Sequence, residues 1–449
     1  MSATGALPGF RDFYPAECAE RSRIFRAWRT VARRHGFVEY DGPPLEALDL
    51  YTRKSGEEIV EQLYAFDDKG GRAVALRPEM TPTFARMVAA RANALRKPLR
   101  WFSIPQLFRY ERAQKGRLRE HFQLNVDIVG ETSEVADAEL IALAADVIRE
   151  LGLTPADVRV RVSDRRLLVA GLLALGLTDT QRGAAIAAVD KLSRQSREAT
   201  MDTLARGSLG ERESAQVIAM VSATDVDTFV KIAGGGESVR DAANPLRQAF
   251  HHLEALGALE WVDFDPSIVR GLAYYTGIVF ELFDARGEFR AICGGGRYDD
   301  LLAALGGVDL PALGFGMGDV VLGELLRSRG LLADDGAAAA EVYVIGRPGS
   351  AGRPFGDALR LVRALRNGGF AVDYAMSPER YASQATRNQL EAAKKSGARA
   401  AVFFDDRDTV TAIALGGRLG DAPRWTMPAA GALSGAADFA ALRTWLDSL

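Results

Sequence analysis

The stretch Phe108-Arg-Tyr-Glu-Arg-Ala-Gln-Lys-Gly-Arg-Leu-Arg-Glu-His-Phe-Gln gathers Arg109, Arg112, Lys115, Arg117 and Arg119 into one short run. A guanidinium offers two parallel, charge-assisted hydrogen bonds to a phosphate, so such a run can hold a polyphosphate or a nucleic-acid end. A solvated hairpin loop is the plain alternative, and arginines at the strand ends rather than at the tip speak against it. A second run, Val269-Arg-Gly-Leu-Ala-Tyr-Tyr-Thr-Gly-Ile-Val-Phe-Glu, brings an Arg-Gly entry and paired tyrosines into a strand. An arginine on a sheet floor is costly without an anion, and tyrosine hydroxyls orient polar ligands; core aromatics on an ordinary strand would look similar. Gly294-Gly-Gly-Arg-Tyr-Asp-Asp permits close approach to the backbone or makes a tight turn. In Leu76-Arg-Pro-Glu-Met-Thr-Pro, Glu79 and Thr81 can receive an ammonium group or cap a helix. Gly314-Phe-Gly-Met-Gly-Asp reads as a strand with small residues and lacks the loop-then-helix form of a dinucleotide site; no Walker lysine motif occurs.

These residues need a scaffold. Arg100 to Tyr110 alternates apolar and polar residues, and Phe122 to Val129 does so again, which predicts a strand, a long basic loop and a returning strand. Ala16 to His35 predicts an amphipathic helix with Ile24, Phe25, Trp28 and Val31 on one face. Ala73 to Leu76 predicts a strand, Thr81 to Ala94 a helix, and Ser133 to Leu151 a helix with acidic residues early. Residues from about 165 to 255 are helix-rich. Strand character returns at Tyr274 to Phe283, Phe289 to Cys293 and Leu313 to Met317, with the glycine run and a short helix between the last two. Ala333 to Ala340 reads as a linker. Beyond it come strands at Glu341 to Gly346, Ala371 to Tyr374 and Ala400 to Phe404, alternating with helices at Pro354 to Asn367 and Ser383 to Ser396. That alternation predicts a small α/β domain.

The 449 residues suit two or three domains, and 48% hydrophobic with 26% charged residues is an ordinary globular composition. Net charge is −3, so no global basic excess points to nucleic acid. The charge is regional instead: residues from Glu341 onward carry net +3 and the rest −6. Two cysteines, Cys18 and Cys293, make no disulfide framework, and four histidines show no ligand-like spacing to them. No signal peptide or membrane span is read, so a cytoplasmic protein without membrane association is expected.

Taken in order, these motifs resemble the histidyl-tRNA synthetase family of class II aminoacyl-tRNA synthetases, over nearly the whole chain. The likeness starts at Leu7-Pro-Gly-Phe-Arg-Asp. Motif 1 resembles the helix around Phe25 to Gly36 with Val38 to Pro44, and motif 2 resembles Leu107 to Gly130. The two histidine-specific motifs resemble Arg270-Gly-Leu-Ala-Tyr-Tyr-Thr-Gly and Gly294-Gly-Gly-Arg-Tyr-Asp-Asp-Leu. The resemblance implies an α+β catalytic domain over 1–330, built on a six- or seven-stranded antiparallel class II sheet with a helical insertion at about 172–240. It implies a linker over 331–340, a C-terminal α/β anticodon-binding domain over 341–449, and a homodimer formed through motif 1. The implied activity is attachment of L-histidine to tRNA(His) with ATP and Mg²⁺, through a histidyl-adenylate.

By the same resemblance, Arg109 holds the α-phosphate and the histidine carboxylate, Glu111 receives the adenine amino group, and Arg117 reaches the outer phosphates. Arg270 stands where other class II enzymes use a metal ion, so no metal site built from protein side chains is expected. Glu79 and Thr81 face the substrate ammonium, Asp127 its imidazole, and Gln123 its carboxylate or ammonium. Tyr274, Tyr275 and Tyr298 line the imidazole pocket. Arg112 and Gln114 meet the tRNA acceptor end. Two departures stand out: Ala273 replaces an aspartate, and Gly318-Asp-Val-Val puts Val320 and Val321 where motif 3 carries glutamate and a phosphate-binding arginine. Both resemble the branch found in plant organelles and some bacteria. The competing reading is a synthetase-like, histidine-sensing regulatory subunit of ATP phosphoribosyltransferase, which does no adenylation.

Overall fold

The computed structural model describes residues 5–52, 61–112, 114, 116–192, 195–270, 275–332, 340–346, 354–377, 386–405, 408–416, 422–434 and 439–449. The chain forms two compact units, Met1–Ala333 and Asp334–Leu449.

The first unit is organised by a nine-stranded sheet. Its path runs β1 (Val38–Glu39), β5 (Leu99–Ser103), β7 (Glu120–Val129), β12 (Ala312–Gly318), β11 (Cys293–Arg297), β10 (Ile278–Asp284), β8 (Val158–Asp164) and β9 (Val262–Phe264), with β6 (Gln106–Phe108) pairing β7 off this path. The six strands from β5 to β8 along the path pair antiparallel, while β1 and β9 add parallel edges. The antiparallel strands, six along the path with β6 as a seventh, match the six- or seven-stranded antiparallel sheet that the resemblance implies, and the two parallel edges widen it. A separate three-stranded sheet joins β2 (Leu45–Ala47), β4 (Ala73–Leu76) and β3 (Tyr64–Asp67).

Alternation on β7 decides what the sheet does. Leu124, Val126 and Ile128 point into the main core, whereas His121, Gln123, Asn125 and Asp127 face a cavity. Behind the sheet lie two helices. Pro15–Arg34 starts with proline at its first position, carries Glu17 early and Arg33 and Arg34 late, and buries Ile24, Ala27, Trp28, Val31 and Ala32 at helical spacing. Glu134–Glu150 is buried at most positions between Ala136 and Ile148. Fully burying each large apolar side chain contributes roughly 1.5–3 kcal/mol, so this two-sided burial anchors the wall on which the cavity residues stand.

Three elements differ from the sequence reading. The strand expected over Arg100 to Tyr110 is two strands, because Ile104-Pro105 interrupts the ladder where proline has no N–H to give. The strand expected at Phe289 to Cys293 begins only at Cys293. The glycines beyond it, read as a place of close backbone approach or a tight turn, are the strand itself, β11. The strand expected from Tyr274 begins at Ile278, and residues 271–274, with Ala273 and Tyr274, lie outside the described residues. Helices run from Arg165–Ala174 to Glu237–Ala255, with Asp164, Thr178, Ser196 and Asp225 capping four of them through side-chain oxygens. Leu331 and Leu332 pack on the first unit's core, and residues 333–339 of the expected linker are outside the described residues.

The second unit holds a five-stranded sheet ordered β14 (Val372–Tyr374), β13 (Val342–Val344), β15 (Ala400–Phe404), β16 (Thr409–Ala414) and β17 (Arg424–Pro428). The first three are parallel and the last two antiparallel. One face packs Val342, Val344, Val402 and Phe404 against Leu361 and Leu365 of helix Phe355–Asn367 and Leu442 and Leu446 of helix Ala440–Asp447. The other face packs Tyr343, Ile345 and Phe403 against Leu390 and Ala393 of helix Thr386–Lys395. This is the α/β arrangement that the strand–helix alternation predicts.

Candidate active site

His121, Gln123, Asn125 and Asp127 of β7 form one wall of a cavity of about 310 Å³. Its floor is β11 and β12, where Gly294 pairs with Gly316 and Gly296 with Gly314 across the ladder. The floor carries few side chains, so neighbouring ones lie flat upon it. A Cβ at Gly316 would stand 2.7 Å from the Gln123 amide, one at Gly314 would collide with the Asp127 carboxylate and lie 2.7 Å from the Tyr298 hydroxyl, and one at Gly294 would occupy the place of the Arg270 guanidinium. Gly314 and Gly316 of the Gly-Phe-Gly-Met-Gly run, with Gly294 opposite, are thus seats for polar side chains.

The cavity is lined by Asp127, Tyr298, Tyr275, Glu79, Thr81 and Gln123. Asp127 is buried, and the Tyr298 hydroxyl donates to its Oδ1. Burial pushes the Asp127 carboxyl up to about 7, with the Tyr298 bond opposing. The rings of Tyr275 and Tyr298 meet edge to face with centroids 6.4 Å apart. Burial likewise raises the Glu79 carboxyl, against the pull of Arg109. Glu79 and Thr81 stand where β4 turns into helix Thr81–Arg91 and both line the cavity; neither caps the helix, whose N-cap residue is Met80 with no side-chain cap bond.

The cavity is also cationic. Arg109, Arg117 and Arg270 all line it. Arg109 follows β6, and its Nε donates to the Pro78 carbonyl at 3.0 Å. Arg117 pairs with the buried Glu111, so the motif 2 loop closes on itself through a charge pair. Arg270 Nη1 donates to Glu281 Oε1 at 2.5 Å.

A model of the histidyl-tRNA synthetase family matches residues 9–318. The chain belongs to the histidyl-tRNA synthetase family. Among relatives of the synthetase family, the histidine–tRNA ligase of Opitutus terrae is 45% identical over 408 residues, covering 90% of this chain and 91% of that one. The chloroplastic/mitochondrial histidine–tRNA ligase of Arabidopsis thaliana is 44% identical, covering 73% of this chain and 67% of its own. Among solved structures, the histidyl-tRNA synthetase of Nostoc sp. PCC 7120 superposes with a TM-score of 0.80 at 21% identity, covering 97% of this chain and 99% of that one.

Seen as a synthetase, the chain brings together Glu79, Thr81, Arg109, Glu111, Arg117, Gln123, Asp127, Arg270, Tyr275 and Tyr298 around one cavity. Arg112 and Gln114 are exposed and line a neighbouring surface depression with Tyr110, which shares Glu111 and Arg117 with the cavity. Gln114 Oε1 accepts from Arg290 Nη2 at 2.9 Å. Tyr274 lies outside the described residues. Val320 and Val321 stand at the cavity edge, and Val321 Cγ2 is 3.3 Å from where a Cβ on Gly116 would be.

Two wall residues, His121 and Asn125, escaped the sequence reading. Alternation on β7 was the available signal, since both share the phase of Gln123 and Asp127. Burial, then Arg109, Arg11 and Arg117, push the His121 imidazole down to about 3, so it stands neutral among cations. Arg11, from the opening motif, bonds Glu120 at 2.6 Å and Asp319 at 2.9 Å and ties the N-terminal segment to β7 and to the helix start after β12.

Proposed function

We propose that the chain is a histidine–tRNA ligase that activates L-histidine with ATP and transfers it to tRNA(His), releasing AMP and pyrophosphate. The observation that carries this reading is the 45% identity to a histidine–tRNA ligase over nine-tenths of both chains, joined to a cavity lined by buried polar groups and by three arginines. The same observation disfavours the regulatory-subunit reading, since the relatives over that length are named as ligases.

In this reading the histidine imidazole lies against Asp127 and the tyrosines, and its ammonium lies near Glu79 and Thr81. Gln123 meets the carboxylate or the ammonium. A site built to hydrogen-bond its substrate can reject an apolar analogue by ~10⁴. Glu111 receives the adenine amino group and Arg117 turns to the outer phosphates, which requires the two to part when ATP enters. Arg109 and Arg270 flank the α-phosphate. A carboxylate oxygen of histidine then attacks the α-phosphorus in line, and pyrophosphate leaves. The carboxylate is already ionised, so positioning and charge stabilisation do the work rather than a protein base. The terminal ribose hydroxyl of the tRNA next attacks the adenylate carbonyl carbon and AMP departs. Magnesium accompanies the ATP phosphates as part of that substrate.

In this reading Arg112 and Gln114 meet the acceptor end and the second unit reads the anticodon, with salt-sensitive binding. The enzyme is read as a cytoplasmic homodimer, and no helix among the described residues is long and apolar enough to cross a membrane. Histidine-dependent ATP–pyrophosphate exchange tests the reading. Exchange that requires L-histidine and collapses in Arg270→Ala supports it. Histidine binding without exchange would overturn it in favour of a histidine sensor.

A further inference from the structure

Arg270 is held from several sides. Its backbone has φ +43°, a left-handed value that non-glycine residues seldom adopt. Its side chain reaches over β11, where the missing Cβ of Gly294 leaves room for the guanidinium. The guanidinium carbon lies 5.6 Å from the centre of the Tyr275 ring. Its Nη1 ends on Glu281. Glu281 stands on β10, in register with Arg161 of β8 on one side and Gly294 of β11 on the other. Arg270 lines the cavity and Glu281 does not. The carboxylate therefore touches the arginine without itself lining the cavity.

We propose that Glu281 is a positioning residue for adenylation: it fixes the Arg270 guanidinium over the bare backbone of Gly294, aimed at the α-phosphate. The proposal rests on the reading of Arg270 as the cation at that phosphate. A guanidinium has five donors in a rigid fork, so it can serve a carboxylate along one edge and a phosphate oxygen along another. A carboxylate behind the arginine limits the rotamers of a long, flexible side chain before ATP arrives. The strained backbone and the glycine seat act to the same end, because both bring the guanidinium to one place rather than several.

The test is pyrophosphate exchange by the full chain, with kcat and both KM values, in Glu281→Gln, Glu281→Asp, Arg270→Ala and the Glu281→Gln/Arg270→Ala double variant. Misplacing a catalytic group by about 1 Å costs on the order of 100-fold. Glu281→Gln should therefore lower kcat by about 10- to 100-fold with KM for histidine unchanged, and Glu281→Asp should recover part of the loss. In the Arg270→Ala background, Glu281→Gln should have no further effect. A merely structural glutamate would give the same loss in both backgrounds, and that result overturns the proposal. So does wild-type or raised kcat in Glu281→Gln while Arg270→Ala collapses. Wild-type exchange in Arg270→Ala would instead remove the underlying reading of the arginine. If Glu281→Gln does not fold, millimolar guanidinium added to Arg270→Ala makes the comparison: rescue that is weakened when Glu281→Asp is added supports the seat, and equal rescue with either residue overturns it.

Discussion

Replacing Asp127 by asparagine should make the protein more stable and a worse enzyme at the same pH. Burial lifts this carboxyl from an ordinary 3.8 to about 7. Between those values the folded chain keeps a proton that the unfolded chain has released, so stability falls as pH rises through the window. About three pH units at 1.36 kcal/mol each give a penalty of ~4 kcal/mol for holding the ionised group at pH 8. Asparagine does not titrate and escapes that penalty. It exchanges the Tyr298 bond to a charged acceptor for one to a neutral acceptor, a loss of about 1 kcal/mol. The net expectation is a gain of ~2–3 kcal/mol at pH 8, shrinking as pH falls toward 4. Function moves the other way. A hydrogen bond to a charged group contributes ~1.5–3 kcal/mol, so KM for histidine should rise by roughly 10- to 150-fold while KM for ATP stays put. In the wild type, kcat/KM for histidine should climb as pH passes upward through about 7, and the variant should lose that climb. Thermal unfolding at several pH values and histidine titration of exchange measure both effects. An Asp127→Asn variant less stable than the wild type at pH 8, with unchanged KM, would refute the account of this carboxylate.

Three further expectations follow from neighbouring features. Gly316→Ala places a Cβ 2.7 Å from the Gln123 amide, so exchange should fall at least ~10-fold; crowding of this kind costs about 1–3 kcal/mol in denaturant titrations. His35 bridges Glu139 at 3.1 Å and Asp146 at 3.0 Å, and the Glu139 hydrogen bond leads in holding its imidazole above the usual 6.5. Its contribution is complete below 6.5 and is lost as pH rises through the raised folded value, so His35→Gln should lower Tm more at pH 6 than at pH 9. Val321→Arg should change KM for ATP by less than about 3-fold, because Arg117 beside it already supplies a charge-assisted donor fork; a strong gain in ATP affinity would show that the edge of the site is under-filled.

Local signals carried some elements far. Ala73–Leu76 and Ala400–Phe404 are strands at the residues read from their apolar runs. Helix Pro15–Arg34 follows its 3.6-residue pattern to within one residue at each end. Signals that depend on partners did less well. Cys293–Arg297 has three glycines in five residues and no strand propensity to speak of. It is a strand because β10 and β12 pair with it on both sides. Val158–Asp164 alternates valine with arginine and was legible, yet lay outside the elements assigned from sequence. At the site, the arginines and tyrosines announced themselves by type and order. His121 did not, since a single histidine on a strand signals nothing until the phase of its neighbours is set against the cavity. The Arg270–Glu281 pair was equally hidden, because the two residues are brought together by a strand entry and a glycine seat rather than by spacing.

The glycine strand also bears on when the site comes into being. A chain segment without side chains loses more conformational freedom on ordering than any other and brings little apolar surface to repay it. β11 therefore has no reason to extend by itself, and its order is borrowed from β10 and β12. Those neighbours are separated from β7 and β8 in sequence by the whole helical stretch, so the floor forms only after distant parts of the chain have met. During synthesis, a partly made chain holds every arginine of motif 2 but has nothing to lay the substrate on. The order of assembly thus keeps the motif 2 charges from forming a working centre before β12 has been made.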